Sequence, residues 1–309
     1  MAEHISVLLN ECIDGLNIKE DGIYVDGTVG LGGHSYEIAK RLTTGKLICF
    51  DRDETAIKRS KERLAEFSEK ITFIQDNFCN VIADLNELGI DKVDGMMFDL
   101  GVSSPQLDEA ERGFSYMHDA PLDMRMDQSN TLSAWFVVNK WPREKIERIL
   151  KEYGEEKNFR IITNSIIKAR EVKNINTTGE LVEVVLKALP ASARREKQHP
   201  AKRLFQAIRI AVNDELGSLQ EMVDTAPDKL NVGGRLVIIS FHSLEDRIVK
   251  KAIQKRENGC TCPREAPICT CGFKQTLKSV NRKPITASRE ELENNPRSRS
   301  AKLRVAEKV

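Results

Sequence analysis

The feature that most constrains the fold is a glycine-rich segment between an apolar run and an amphipathic stretch. Residues 23–26, with the sequence IYVD, are predicted to form a strand that ends in a carboxylate, and residues 34–42 to form a helix. Between them lies GTVGLGG, residues 27–33. Glycines at such a turn let the backbone approach a ligand, because no Cβ is in the way and a positive φ costs little. A strand, a tight turn and a helix in this order predict the opening of a nucleotide-binding βαβ unit.

The alternation of strands and helices continues along the chain. Further strands are predicted at residues 46–51, 71–75, 93–99, 234–240 and 303–306. Helices are predicted at residues 55–67, 201–226 and 244–255. Strands that alternate with helices imply a mostly parallel sheet covered on both faces, so the sequence predicts an α/β fold of the Rossmann-like kind.

Residues 108–200 depart from this alternation. They carry amphipathic helical stretches, such as residues 143–153 and 178–189, and no convincing strand. We therefore expect a discontinuous Rossmann-like domain, residues 1–107 and 201–309, interrupted by an inserted helical domain at residues 108–200 that serves RNA recognition. A chain of 309 residues is long enough to bury the cores of two such parts.

Composition excludes several classes of protein. Hydrophobic residues make up 40% and charged residues 31% of the chain, which is typical of a globular protein rather than a disordered one. No apolar run reaches the length that spans a bilayer, and no secretory signal pattern is present, so we expect a cytoplasmic protein without a membrane partner. The net charge is +1, so nucleic-acid binding must depend on local basic clusters, such as residues 194–197, 202–203 and 297–304.

An acidic residue ends the second predicted strand. Asp51 is placed there to accept hydrogen bonds from the hydroxyl groups of a ribose. The glycine spacing does not match the dinucleotide fingerprint G-x-G-x-x-G, because Ser35 stands where the third glycine would be. We therefore expect a nucleoside site. A nicotinamide-dependent oxidoreductase is an alternative, because it would share the strand, the glycines and the acid.

The segment after the fourth predicted strand, residues 99–106 with the sequence DLGVSSPQ, is expected to contain the reacting centre. Amino-directed methyltransferases carry a short D/N/S-P-P-aromatic loop at this point, and SPQ at residues 104–106 resembles a variant of it. The lone pair of an aromatic amine is delocalised, so acceptors must hold its N–H groups while the transfer is aligned. The candidate catalytic residues for this task are Asp99, Ser103, Ser104 and Pro105.

This segment also departs from the commoner pattern. Gln106 stands in place of the second proline, and Leu107 in place of the aromatic residue. A ring that stacks on a base must then come from elsewhere, and Phe114, Tyr116 and Phe241 are candidates. Taken by itself, the segment is also compatible with an ordinary β-turn that contains proline.

Six sequence blocks together resemble the RsmH (MraW) family of bacterial ribosomal RNA methyltransferases. They are DGTVGLGGH at 26–34, DLGVSSPQLD at 99–108, RGFSY at 112–116, PLDMRM at 121–126, FQAIR at 205–209 and ISFHSLEDR at 239–247. The resemblance covers nearly the whole chain. It implies a class I S-adenosylmethionine-dependent methyltransferase fold with an inserted helical domain.

The same resemblance implies an activity and a set of cofactor residues. The activity is methyl transfer from S-adenosyl-L-methionine to N4 of a cytidine in the decoding centre of 16S rRNA, with the RNA or the small ribosomal subunit as partner. The cofactor-binding positions that match are Gly32, Gly33, His34, Asp51, Phe78, Asp99 and Gln106. A non-enzymatic RNA-binding factor that retains a nucleoside pocket is a further alternative, and the sequence leaves the oligomeric state open.

Four of the seven cysteines form two C-x-C pairs near the C-terminal end. They are Cys260, Cys262, Cys269 and Cys271. Four thiolates in so compact a segment could form a tetrahedral zinc site, although the usual spacing is C-x-x-C. Reduced thiols without a metal are the alternative.

Overall fold

The structure is a computed structural model that describes residues 6–190, 199–262 and 270–309. The chain divides into two compact units. The first comprises the residues up to Gly101 together with Leu216–Val309, and the second comprises Val102–Glu215.

The first unit is built on a seven-stranded sheet. Its strands are β1 (Ile23–Asp26), β2 (Lys46–Phe50), β3 (Ile71–Ile74), β4 (Val93–Asp99), β5 (Leu230–Ser240), β6 (Leu277–Ser279) and β7 (Lys302–Lys308). The spatial order is β3-β2-β1-β4-β5-β7-β6; β1 to β5 are parallel, and β7 is antiparallel to both of its neighbours. The predicted mostly parallel sheet is confirmed. The strand order reverses between β1 and β4, and open α/β sheets bind their ligands at the carboxyl ends of strands at such a point.

The helices predicted at 34–42 and 244–255 are found within three residues at their ends, and the one predicted at 55–67 ends at Arg63. The helices of the structure are α1 (Leu9–Leu16), α2 (Gly33–Arg41), α3 (Glu54–Arg63), α4 (Val81–Glu87), α5 (Ser104–Asp108), α6 (Ala134–Lys140), α7 (Arg143–Glu152), α8 (Phe159–Val172), α9 (Thr178–Ala188), α10 (Lys202–Asn213), α11 (Glu215–Thr225), α12 (Ser243–Asn258) and α13 (Arg289–Asn294). The single helix predicted at 201–226 is wrong: Asp214 has a left-handed φ of 46°, which ends α10 before α11 begins. In the ranges that the structure describes, no helix has both the length and the apolar character needed to cross a bilayer.

The sheet of the first unit is covered by apolar side chains on both faces. Successive residues of β4 point to opposite faces: Met97 belongs to one apolar cluster, and Met96 and Phe98 belong to the other. All three side chains are completely buried. Because burying a side chain of this size contributes about 1.5–3 kcal/mol, β4 and the residue that ends it are held firmly in position.

The second unit is helical and has its own apolar core. Val138, Leu150, Ile162 and Leu181 are buried in it, and they come from α6, α7, α8 and α9. The predicted helices at 143–153 and 178–189 are confirmed within a residue at their ends. Phe205 in α10 packs in the same core, which is why this unit extends to Glu215 rather than to residue 200.

Candidate functional site

Three carboxyl groups lie at the carboxyl ends of adjacent parallel strands in the first unit. Asp26 ends β1, Asp51 follows β2 directly, and Asp99 ends β4. Since the sheet places β2, β1 and β4 side by side, these three residues share one edge. This edge includes the point where the strand order reverses, and we take it as the candidate site.

The glycine loop, residues 27–33, is held to the strand ends by hydrogen bonds. The N–H of Gly27 donates to the carbonyl of Met97 at 2.8 Å. The N–H of Gly30 donates to Oδ2 of Asp51 at 2.9 Å. The loop is therefore fixed to both β4 and the end of β2, and the edge is organised before any ligand arrives.

The predicted cofactor positions Gly32, Gly33 and His34 lie where α2 begins. Gly32 has a φ of +77°, a conformation that favours glycine. A Cβ on Gly33 would lie 1.9 Å from Oγ of Ser6, so a side chain here would require Ser6 to move. His34 is buried, and its Nε2 lies 3.0 Å from the carbonyl oxygen of Val7. The ring of His34 therefore contacts the chain segment before α1, and its role toward a cofactor stays a prediction.

Asp51 holds two backbone groups. Its Oδ2 accepts from Gly30, and its Oδ1 accepts the N–H of Asp53 at 2.9 Å. Burial raises the pKa of Asp51 to about 6, although the two hydrogen bonds act in the opposite direction. Each carboxylate oxygen keeps a second lone pair, so the predicted contact with ribose hydroxyls is still chemically open.

Asp26 is buried and accepts two hydrogen bonds from within the protein. It is 1% exposed, and it accepts from Oγ of Ser35 at 2.6 Å and from the N–H of Thr28 at 3.1 Å. Burial raises its pKa to about 6. The sequence analysis identified Asp26 as the acid that ends a strand but assigned it no function. The structure shows that its hydrogen bonds connect the glycine loop to α2.

Asp99 differs from the other two acids because one of its oxygens has no partner. Its N–H donates to Oγ1 of Thr28 at 2.6 Å, but its Oδ1 is buried without a hydrogen-bond partner among the described residues. Burial, with added repulsion from Asp26 and Glu245, raises the pKa of Asp99 to about 8. A buried polar atom without a partner costs free energy, and a ligand that donates a hydrogen bond would remove this cost.

Glu245 is a fourth buried acid, which the sequence analysis did not assign. Its Oε2 accepts from the N–H of Phe241 at 2.8 Å and of His242 at 3.2 Å, at the start of α12. Together with His242 it forms a capping box. The spacing H-S-L-E after an apolar strand is the signal that could have located it. Its negative charge is one reason for the raised pKa of Asp99.

Phe78 lies just after β3, as predicted. It begins a short 3-10 turn, Phe78–Asn80, and its ring meets that of Phe98 edge to face at a centroid distance of 5.8 Å. The ring is half-buried against the apolar cluster of the sheet. Its predicted contact with an adenine is untested.

In the second unit, Ser103, Ser104, Pro105 and Gln106 form the start of a helix rather than an open loop. The N–H of Ser103 donates to Oε1 of Gln106 at 3.0 Å. The carbonyl of Ser103 accepts from Leu107 at 3.3 Å, and that of Pro105 accepts from Glu109 at 2.8 Å. Proline suits the first turn of a helix because its missing N–H would have no partner there. The segment from Ser104 is therefore helical rather than the loop that the resemblance suggested, whereas the catalytic and cofactor roles of these residues stay predictions.

The three aromatic candidates for base stacking have different surroundings. Phe114 is 5% exposed in the core of the second unit, so its ring is not available for stacking. Tyr116, also in the second unit, stacks on His199 with a centroid distance of 4.7 Å and an interplanar angle of 13°. Phe241 is half-buried against an apolar cluster of the first unit.

The basic clusters are only partly described. Residues 194–197 lie outside the described residues. Lys302 and Arg304 both contact Asp246, at 3.3 and 2.7 Å, which reduces the positive charge they present to a phosphate. Contact between these clusters and RNA stays a prediction.

Comparison with known proteins gives consistent matches over the whole chain. The family model described as the MraW methylase family matches residues 1–309. A curated relative named ribosomal RNA small subunit methyltransferase H, from Finegoldia magna, is 57% identical over 308 residues, 99% of each chain. The protein of the same name from Clostridioides difficile is 54% identical over 307 residues, again 99% of each chain. Among solved structures, an rRNA methylase from Streptococcus thermophilus aligns over 99% of each chain with 14% identity and a TM-score of 0.45.

Proposed function

The chain belongs to the MraW methylase family, and from this premise we propose that it transfers the methyl group of S-adenosyl-L-methionine to small-subunit ribosomal RNA. The sheet order and family membership together give a class I methyltransferase fold. We propose further that the acceptor is N4 of a cytidine in the decoding centre of 16S rRNA. Relatives that match over their full length and bear the name of a small-subunit rRNA methyltransferase support the RNA substrate.

The observation that carries the proposal is the buried Oδ1 of Asp99 beside the glycine loop, which has no hydrogen-bond partner within the described part of the chain. S-adenosyl-L-methionine presents a sulfonium, an ammonium group and ribose hydroxyls, which are cationic or hydrogen-bond-donating groups. An edge with hydrogen-bond-accepting carboxyl groups at Asp51 and Asp99 fits such a ligand.

The protonation state of Asp99 is important for the proposed methyl transfer. With a pKa of about 8, its carboxyl group is mostly protonated at neutral pH in the ligand-free protein. A donor or a positive charge placed at Oδ1 favours the ionised form, so ligand binding lowers the pKa of Asp99. Once ionised, Asp99 can accept a hydrogen bond from an amine and take up a proton that the product nitrogen must lose.

S-adenosyl-L-methionine, when bound, supplies an electrophilic methyl group on its sulfonium. The remaining task of the chain is to hold the exocyclic amine in line with that methyl group. We assign this positioning to Asp99, Ser103, Ser104 and Pro105. The assignment of the last three rests on the sequence order alone, in which they closely follow Asp99.

Two measurements test the proposed function. Calorimetry with S-adenosyl-L-methionine and with NAD, in separate titrations, is expected to show binding of the first only. Isolated small-subunit particles and naked 16S rRNA are then incubated with the protein and methyl-labelled cofactor, and label is expected in the RNA of at least one substrate. Binding of NAD alone would support the oxidoreductase alternative, and cofactor binding without label in either RNA would support a non-enzymatic factor.

A variant pair tests the role of Asp99 in the same assays. Asp99→Ala is expected to reduce methyl transfer far more than it weakens cofactor binding. Asp94→Ala, at the opposite end of β4, is the matched control and is expected to retain transfer when folded. Equal loss of transfer and binding in Asp99→Ala would show that Asp99 only places the cofactor.

A further inference from the structure

The first unit brings three cysteine thiols together next to β6, the strand at the edge of the sheet. Cys260 and Cys262 follow the end of α12, and Cys271 precedes β6. Their Sγ atoms all lie within 4.8 Å of one another. The fourth cysteine of the sequence cluster, Cys269, lies outside the described residues.

The spacing of the sulfur atoms is compatible with ligands to a common metal ion. Four thiolates at about 2.3 Å from zinc in a tetrahedron have their sulfur atoms about 3.8 Å apart. The Sγ atoms of Cys260 and Cys271 are 3.6 Å apart, close to this value. A disulfide would need a separation of about 2.05 Å, so the observed geometry is that of two separate thiols.

The chain around the thiols is also held in place. The N–H of Thr276 donates to the carbonyl of Arg256 at 3.0 Å, which joins the chain before the first cysteine to the chain after the last. The N–H of Thr270 donates to Sγ of Cys262 at 3.3 Å. Such N–H···S hydrogen bonds orient and support thiolate ligands in metal sites.

The thiols lie at the surface and not in an apolar core. Cys260 and Cys271 are exposed, and Cys262 is half-buried. Burial of apolar surface therefore contributes little to keeping these three side chains together. A shared metal ion would hold them together, and thiolates prefer soft or borderline ions such as zinc to magnesium or calcium.

We propose that Cys260, Cys262 and Cys271 bind one zinc ion as thiolates, with a fourth donor completing the tetrahedron. Their thiol protons leave to solvent as the metal binds, and no oxidant or reductant is needed. The zinc is structural, because it joins the end of α12 to the chain that enters β6. This site is independent of the proposed methyl transfer.

Metal analysis of the full chain tests this site. The protein is produced with added zinc under reducing conditions and dialysed, and we expect about one zinc ion per chain. Cys260→Ser and Cys271→Ser are each expected to lose this zinc, whereas the control Cys79→Ser, outside the cluster, is expected to retain it. Wild-type protein without zinc, or serine variants that keep it, would overturn the proposal.

A second measurement does not depend on the variants folding. Cobalt(II) added to metal-free wild-type protein is expected to give a sulfur-to-cobalt charge-transfer band, and zinc is expected to abolish it by competition. Zinc is also expected to slow the reaction of exposed thiols with a thiol reagent. Absence of the band, together with thiols equally reactive with and without zinc, would show an ordinary cluster of reduced cysteines.

Discussion

Replacing Asp99 with asparagine is expected to stabilise the ligand-free protein at alkaline pH. The folded carboxyl group has a pKa raised from its ordinary value of 3.8 to about 8, mainly by burial. Between these two values the unfolded chain ionises while the folded one keeps its proton, so wild-type stability falls as the pH rises. Asparagine has no ionisable carboxyl group, so the stability of Asp99→Asn does not fall with pH for this reason.

The size of this stability difference follows from the width of the pH range between the two pKa values of Asp99. Each pH unit within it lowers the free energy of unfolding by up to about 1.4 kcal/mol, so from about pH 5.5 to about pH 8 the upper limit is about 3.5 kcal/mol. Asp99 as a whole keeps partial contact with solvent although its Oδ1 is buried. We therefore expect the advantage of Asp99→Asn over the wild type to grow by about 2 kcal/mol between these pH values.

Urea unfolding of both proteins at the two pH values measures this difference. Asp94→Asn, on the same strand, is the matched control. Burial alone would raise the pKa of Asp94, but hydrogen bonds from Ile23, Lys19 and Asn231 outweigh it and lower the pKa. The stabilising contribution of ionised Asp94 is lost only below its ordinary pKa. The difference in free energy of unfolding between Asp94→Asn and the wild type is therefore expected to stay constant between the two pH values. A constant difference for Asp99→Asn as well would refute the raised pKa.

Three further predictions concern the glycine loop, Asp51 and the second unit. A Cβ at Gly27 would lie 2.2 Å from the ring of Phe98, whereas a Cβ at Gly30, where φ is +52°, would be in ordinary contact with the carbonyl oxygen of Thr28 at 3.9 Å. Gly27→Ala should therefore lower the free energy of unfolding by about 3 kcal/mol and Gly30→Ala by only about 1 kcal/mol in urea unfolding, and equal losses would contradict the steric reason. Asp51→Asn should weaken S-adenosyl-L-methionine binding at least about tenfold in calorimetry, and unchanged affinity would exclude its contact with the ribose. Asn213→Ala removes hydrogen bonds to two buried main-chain groups of the second unit and should cost about 1–3 kcal/mol, so an unchanged melting temperature would be inconsistent with this role.

The sequence predicted the sheet well because its strands are buried on both faces. Such strands appear as short apolar runs between glycines and acids, and the boundaries of β1 and β4 were predicted to the residue. The short strand β6 was missed because only Leu277 of its three residues is buried, so it leaves no apolar run. The break at Asp214 was missed because helix periodicity continues on both sides of it.

The candidate site was predictable in position but not in its electrostatics. Asp51 and Asp99 were expected at the carboxyl ends of their strands, which is where they lie. The raised pKa of Asp99 depends mainly on burial, and also on the charges of Asp26 at the end of β1 and Glu245 in α12, which are far from Asp99 in sequence. Likewise, the helix that includes Ser104 and Pro105 is stabilised by the contact of Gln106 with Ser103, which a proline-loop pattern does not reveal.

The most direct test of the central claim is to locate the transferred methyl group on the RNA. Small-subunit rRNA that lacks the modification is incubated with the protein and S-adenosyl-L-methionine, digested to nucleosides and analysed by mass spectrometry against synthetic standards. We expect N4-methylcytidine to form with the wild type and to be lost with Asp99→Ala. A methyl group on carbon 5 of cytosine, on ribose or on another base, or no methylated nucleoside at all, would contradict the proposed reaction.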